Sequence, residues 1–289
     1  MNGPLSVLLA TLPGYKKESR QSMARPTELA GLSIYYGLIW LAALVMLAPI
    51  LIVVGISFNP TAAQSFPPGG FSLQWYSEFF NYRPFFKGFF FISIPIALVT
   101  GFLGTAMGVM TSYVLARFDV PYEHHIQSVV YAPLVIPSVI LGLSLLLFFA
   151  RWDLRWAPAN IVAGHTLTVL PYTVLITLTS FYKVDEDLEM AARNLGASKL
   201  QAFVKVTLPL MKGGLVASFL LAFVLSFSDI NIALFLTEGG TITLPMAMYQ
   251  FLLYESTPLI AATAVMQILL VFVMVVLVGR LVGFKTLVR

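Results

Sequence analysis

Six stretches of the chain are each long and apolar enough to cross a bilayer, and they constrain the fold more than any other feature. A helix needs roughly 20 consecutive apolar residues to span the hydrocarbon core. Such runs fall at 31–57, 87–116, 128–150, 159–181, 213–236 and 258–280. With 58% hydrophobic and only 10% charged residues, the chain lies far outside the range of soluble domains. The runs are apolar throughout rather than alternating over roughly 10-residue segments, which excludes a transmembrane barrel. The expected fold class is an all-α polytopic membrane protein with six transmembrane helices. The second run is overlong, and 85–91 is expected to form an interfacial turn. Aromatic residues gather at span ends (Tyr35, Tyr36, Trp40, Trp75, Tyr76, Trp152, Trp156), where rings sit at headgroup level. With no cysteine, disulfides and thiolate metal sites are absent.

Charge placement orients the spans. With the N-terminus inside, 13 of the 17 Lys and Arg residues fall on the inner side. The other four are Arg83, Lys87, Arg151 and Arg155. This excess predicts that both termini are cytoplasmic. Residues 1–30, with Lys16, Lys17, Arg20 and Arg25, read as a cytoplasmic tail, and 31–289 as a six-helix transmembrane domain. The apolar piece 4–12 is too short to span, and the basic residues follow it, unlike a cleaved signal peptide. A short interfacial helix and disorder both fit it, disorder being the expectation. The outer loop 58–86, rich in Pro, Gly and aromatics, is expected to pack as a lid, with a solvated linker as the alternative. The absence of an internal repeat gives an inverted-repeat carrier no support.

One polar segment interrupts the inner side at 185–209, holding four of the 13 acidic residues. Its first half reads as a helix whose leading Asp and Glu residues suit the positive end of the dipole. Leu188, Ala191, Ala192 and Leu195 recur at helical spacing on one face. Gly196 follows as a left-handed cap. Ser198 and Gln201 form a capping-box pattern opening a second helix, with Leu200, Phe203, Val204 and Val206 as its apolar residues. Pro209 is expected to end that helix and turn the chain into span 5. Two readings remain open on these grounds: an amphipathic loop on the inner leaflet, and a docking surface for another protein.

The segment resembles the cytoplasmic signature of the membrane subunits of ABC importers, two alanines, a glycine and a closing Leu-Pro. Ala191-Ala192, Gly196, Val206, Leu208 and Pro209 occupy that pattern, around Leu195-Gly196-Ala197-Ser198. It departs from the pattern at Met190, where a glutamate usually stands, with Glu189 one place earlier. Tyr113-Val-Leu-Ala-Arg117, Pro133-Leu-Val-Ile-Pro137, Gly142 and Thr243-Leu-Pro245 are similar to the same permeases. Ser228-Asp229 together with Thr243-Leu-Pro245 resembles the spermidine/putrescine, PotC-like branch. Iron(III), aminoethylphosphonate and other organic-solute permeases share much of this pattern.

The resemblance implies a type I ABC importer permease fold in the bacterial inner membrane. It implies two cytoplasmic ATPase subunits that use ATP and Mg, a second permease, and a periplasmic or lipid-anchored solute-binding protein. That branch pairs two different permease chains, so a heterodimer is expected over a homodimer. Segment 185–209 would be the coupling helix, with Glu189, Met190, Ala191, Ala192, Gly196, Ala197, Ser198, Leu208 and Pro209 at the ATPase. The chain has no Gly-x-x-x-x-Gly-Lys-Ser/Thr loop, so ATP hydrolysis belongs to a partner. This chain is expected to bind membrane lipid but no cofactor, metal or nucleic acid, and to be no enzyme.

Ionisable residues inside spans are costly and are functional candidates by default. Asp229 in span 5, accompanied by Ser226, Ser228 and Asn231, is a candidate lining of the solute path, suited to a polyamine or other small organic cation. A capping or pairing role without solute contact is the alternative. His165 in span 4, near Thr166, Thr168 and Pro171, lies at a similar depth, so the two residues could face one cavity. For His165 the expectation is a hydrogen bond to a carbonyl or to Asp229. His124-His125 lack the spacing of metal ligands and are placed in a solvated loop. Two functional alternatives remain: an ion-coupled secondary carrier, which would need ion ligands in broken helices and no docking segment, and a membrane enzyme, which would need clustered His, Asp or Glu at the membrane face, where the sequence offers none.

Overall fold

The computed structural model describes residues 26–282, with side chains from 35 to 280. The piece 4–12 and the last seven residues lie outside that range. All regular structure among the described residues is helical. The chain divides into a unit ending at Leu51 and a second from Ile52 to the C-terminus. The first is described by α1 (Pro26–Ser57), which crosses that boundary; it starts five residues before the expected span and carries Pro49 inside.

In the second unit come α2 (Gln74–Asn81) and α3 (Arg83–Lys87). A π-helical turn, Gly88–Ser93, leads on into α4 (Ile94–Arg117). The expected turn at 85–91 is therefore not a turn: helical backbone runs unbroken for 35 residues from Arg83 to Arg117. The π register lets Ser93 Oγ accept the backbone N–H of Leu244 (2.8 Å). It also sets the Gly88 backbone against Leu244, whose Cα lies 3.2 Å from where a Gly88 Cβ would be. Then follow α5 (Glu123–Val135), α6 (Ser138–Arg151) and α7 (Ala157–Phe181). The polar segment supplies α8 (Glu186–Asn194) and α9 (Lys199–Ala202), a π-helical turn Phe203–Thr207, and α10 (Leu208–Leu210). The chain closes with α11 (Lys212–Ser228), α12 (Asn231–Leu236), α13 (Leu244–Tyr254) and α14 (Leu259–Val282).

Four helices are long and apolar enough to span, and up to six spans result if each of two bent pairs counts as one. Two expected spans are thus broken. Span 3 bends by 105° between α5 and α6; Ile136 ahead of Pro137 is extended (φ −80, ψ 125), because a proline ring disfavours helical backbone in the preceding residue. Span 5 ends at Ser228 and restarts at Asn231. Before it, the chain turns by 74° at Met211, not at Pro209. Pro209 sits inside α10, as the second of its three residues. It follows a π turn in which the Leu208 N–H bonds back five residues to Phe203 O, and proline is tolerated in the first turn that follows. His124 and His125 lie exposed in the first turn of α5 rather than in a loop.

The core is α4 against α7 and α11. Gly104, Gly108 and Ser112 form a small-residue stripe at four-residue spacing, the arrangement that lets membrane helices approach closely. A Cβ at Gly104 would come 2.8 Å from Val169 Cγ2, and one at Gly108 2.9 Å from the Thr173 carbonyl carbon. Ser112 completes the contact through Thr177 Oγ1 (2.7 Å) and Val174 O (3.1 Å). Near the Arg83 end, a second core gathers Phe79, Phe85, Phe89, Phe223, Phe227 and Phe251, with Phe89 edge to face on both Phe79 and Phe227 and Phe223 stacked on Phe227. Loop 58–73 is built rather than slack. The buried Asn59 amide donates to Ala63 O and Ser65 O (3.1 and 2.9 Å), while Asn59 O accepts the Trp75 indole N–H (2.7 Å).

Candidate functional site

Both helix breaks converge on one cavity of about 390 Å³, lined by Pro133, Ile136, Pro137, Thr168, Tyr172 and Asp229 among others. Asp229 is the residue at which α11 gives up its helical backbone (φ −70, ψ 128). Its Oδ1 accepts the N–H of Ile232 (2.8 Å), satisfying one of the orphan donors that open α12. The break is therefore a capped one. Asp229 is not inside a continuous span, as the sequence reading had it. The cap of the alternative is present as a hydrogen bond, and the same side chain lines the cavity.

His165 on α7 is brought to Asp229. Its ring is 1% exposed. Nδ1 lies 2.8 Å from Ser226 Oγ, and Nε2 lies 3.4 Å from Asp229 Oδ1 without hydrogen-bond geometry. The hydrogen bond expected from His165 to a carbonyl or to Asp229 is made instead with the Ser226 hydroxyl; Asp229 is a close polar contact only, and it lines the cavity without His165. Oδ2 of Asp229 makes no hydrogen bond among the described residues. Ser228 is turned away, its hydroxyl donating to Val224 O (2.8 Å). Asn231 opens α12 at the α6 contact: a Cβ on Gly142 would sit 3.0 Å from Asn231 O and 2.7 Å from Phe235 Cδ2. Broken helices meeting at a polar residue are the arrangement in which membrane transporters hold polar cargo. Pro137 and Tyr172 carried no role in the sequence reading. Two prolines closely spaced in an apolar run were the available signal. No group of three or more His, Cys, Asp or Glu residues placed for a metal occurs among the described residues.

The second arrangement is the α8–α9 hairpin. Asp185 caps α8 through the Asp187 N–H (3.0 Å). Gly196 takes φ +95, with Gly196 N–H to Arg193 O (2.9 Å) and Ala197 N–H to Ala192 O (3.1 Å), the paired bonds of a Schellman cap. Ser198 and Gln201 then form both halves of the capping box.

The underside of the hairpin is clamped. Arg117, at the end of α4, donates to Glu189 Oε1 (3.2 Å), to Glu186 Oε1 (2.9 Å) and to Val184 O (3.2 Å). Thr207 donates to the same Glu189 oxygen (2.6 Å). Below this, Phe203 packs on Tyr113 (4.7 Å between ring centres) over buried Phe181, Val184 and Met211, with half-buried Leu208 alongside. The upper face is open and apolar. Leu188, Met190, Ala191, Leu195 and Leu200 are exposed, Leu195 at 91%. Ala192 and Ala197 are half-buried, while Ser198 and Pro209 are exposed. Glu189 and Met190 thus differ in exposure: the carboxylate is 14% exposed and held by Arg117 and Thr207, while the methionine is 51% exposed. Arg117 and Thr207 are the functional partners that sequence reasoning missed.

Residues 104–284 match the family described as binding-protein-dependent transport system inner membrane component. The chain is 31% identical over 224 residues to the putrescine transport system permease protein PotI of Escherichia coli K12, covering 75% of this chain and 79% of that protein. It is 27% identical over 229 residues to the spermidine/putrescine transport system permease protein PotC of Haemophilus influenzae, covering 79% and 88%. In fold it is similar to a bacterial ABC transporter that imports the acidic polysaccharide alginate, with a TM-score of 0.66 at 14% identity over 88% of this chain and 94% of that one.

Proposed function

The chain belongs to the family of binding-protein-dependent transport system inner membrane components, and on that footing we propose that it forms half of the pathway for a small organic cation, a polyamine above all. As an ABC importer permease subunit it is not an enzyme; ATP is hydrolysed by a separate subunit. The observation that carries the cation reading is the Asp229 carboxylate at the α11–α12 break, which lines the cavity shared with the Ile136–Pro137 break and keeps one oxygen without a hydrogen bond among the described residues. A charge kept at such a depth is costly unless something needs it. A soft ammonium solute with several N–H donors fits a carboxylate flanked by Tyr172 and Thr168. The similarity to PotI and PotC supports the same class.

In this reading the chain makes six spans, each bent pair counting as one, with both termini in the cytoplasm of a bacterium and the spans in its inner membrane. The lysine and arginine distribution supports that orientation. The exposed apolar face of α8 then meets one of two ATPase subunits, which hold ATP and Mg. A sister permease completes the pathway, and a periplasmic or lipid-anchored binding protein delivers the solute. The clamp explains how force passes inward. Motion of α8 reaches α4 through Arg117, and α4 packs on α7 and α11, which carry His165 and Asp229. Coupling of this kind needs a rigid lever between two global states, and the clamp supplies the rigidity.

Reconstitution tests the solute class. The chain, its sister permease, the ATPase and the binding protein are placed in proteoliposomes, and ATP-dependent uptake is measured for putrescine, spermidine, ferric iron and aminoethylphosphonate. Uptake of the polyamines is expected. Accumulation of ferric iron or aminoethylphosphonate with no polyamine uptake would contradict the reading.

A further inference from the structure

A second cavity lies at the opposite end of the molecule from the α8–α9 hairpin. The unbroken helix from Arg83 to Arg117 fixes this, since its last residue binds α8 and its first adjoins α2; at 1.5 Å per residue it is about 50 Å long. The cavity, about 370 Å³, is lined by Trp75, Glu78, Tyr82, Phe251, Glu255 and Thr257, among others.

Three features of this cavity favour a cation. The Glu78 and Glu255 carboxylates are exposed and make no ion pair among the described residues, and no Lys or Arg lines the wall. The wall is aromatic and its rings are fixed. The Trp75 N–H is committed to Asn59 O (2.7 Å), and Tyr82 is held edge-on by Phe85 and Phe251 (4.8 and 5.5 Å). Two helices end here: Tyr82 is the C-cap of α2 and Glu255 the C-cap of α13, so both present the negative ends of their dipoles. Carboxylates beside aromatic faces are the chemistry that recognises alkylammonium groups.

We propose that this cavity is a binding site for an organic ammonium ion, distinct from the Asp229 cavity and occupied before it. Its placement on the outer side rests on the orientation and solute class proposed above. Binding of putrescine to the assembled transporter in nanodiscs, without the binding protein, is measured by titration calorimetry. Saturable binding is expected, weakened about two- to thirtyfold in the Glu78→Gln/Glu255→Gln double variant, the scale of two exposed ion pairs. It should weaken with added salt, and uncharged 1,4-butanediol should not bind. Each single Gln variant should fall between. These side chains are exposed and unpaired, so the variants should elute as the intact complex. Asp229→Asn should keep this binding while losing uptake. No saturable putrescine binding, equal binding by the double variant, or equal binding of butanediol would each overturn the proposal. Glutamate-dependent binding of putrescine in a transporter that does not import it would leave the site standing and refute the solute reading instead.

Discussion

Glu189 and Met190 sit next to each other and differ in exposure and in partners. Glu189 shares one oxygen between Arg117 and Thr207, with both charged side chains largely out of water (9% and 14% exposed). Replacing Glu189 by Ala leaves Arg117 with only the exposed Glu186 as a charged partner. The expected cost is about 1–3 kcal/mol, read as a lowered thermal transition of the purified complex. Met190→Glu restores the residue usual in the importer signature at a position 51% exposed, and should leave that transition unchanged. If both variants behave alike, the clamp has been misread. At the break, Asp229→Ala removes cap and charge together, at about 1 kcal/mol for the cap, whereas Asp229→Asn keeps an oxygen for the Ile232 N–H. Stability should therefore fall only in the alanine variant, while polyamine uptake falls in both.

At the scale of elements, the α4–α7 contact depends on the absence of side chains at Gly104 and Gly108. Gly108→Leu would push its side chain into Thr173, backbone included, and overpacking of this kind costs about 1–3 kcal/mol or more. Loss of the monodisperse complex in detergent is expected; wild-type behaviour would mean that the helices are not in this contact. The hairpin invites the opposite kind of change. Leu195 is almost fully exposed, so Leu195→Asp should leave folding untouched but abolish co-purification of the ATPase. Retention of the ATPase would move the docking surface elsewhere. Much of this hairpin was legible beforehand, because its signals are local: an acidic first turn, Gly196 where φ must be positive, and a serine three residues before a glutamine. The clamp was not, since Arg117 lies 72 residues from Glu189 and nothing in the spacing links them. The break at Asp229 was half legible. A lone aspartate in an apolar run signalled function, but no glycine or proline marks the break, and an N-cap inside a span looks like a continuation of the same hydrophobic pattern. The break at Ile136–Pro137 carried a marker, the proline, yet proline inside membrane helices is common enough that the continuous reading prevailed.

At the largest scale, the parts of the second unit form a line of contact from the hairpin to the Asp229 cavity. The α8–α9 hairpin is clamped to α4, α4 packs on α7 and α11, and these hold His165 and Asp229 beside the paired breaks. Each link is a packed or hydrogen-bonded contact between rigid elements, so a displacement at the hairpin has a physical route to the cavity. The account stands or falls on Asp229 as the charge met by the moving cation. The most direct test is ATP-driven putrescine uptake into proteoliposomes holding the complete transporter, wild type against Asp229→Asn at equal incorporation. Loss of a charged contact worth about 1.5–3 kcal/mol predicts uptake lower by about ten- to a hundredfold, with basal ATP hydrolysis and complex stability retained. Unchanged uptake together with unchanged solute-stimulated hydrolysis would contradict it.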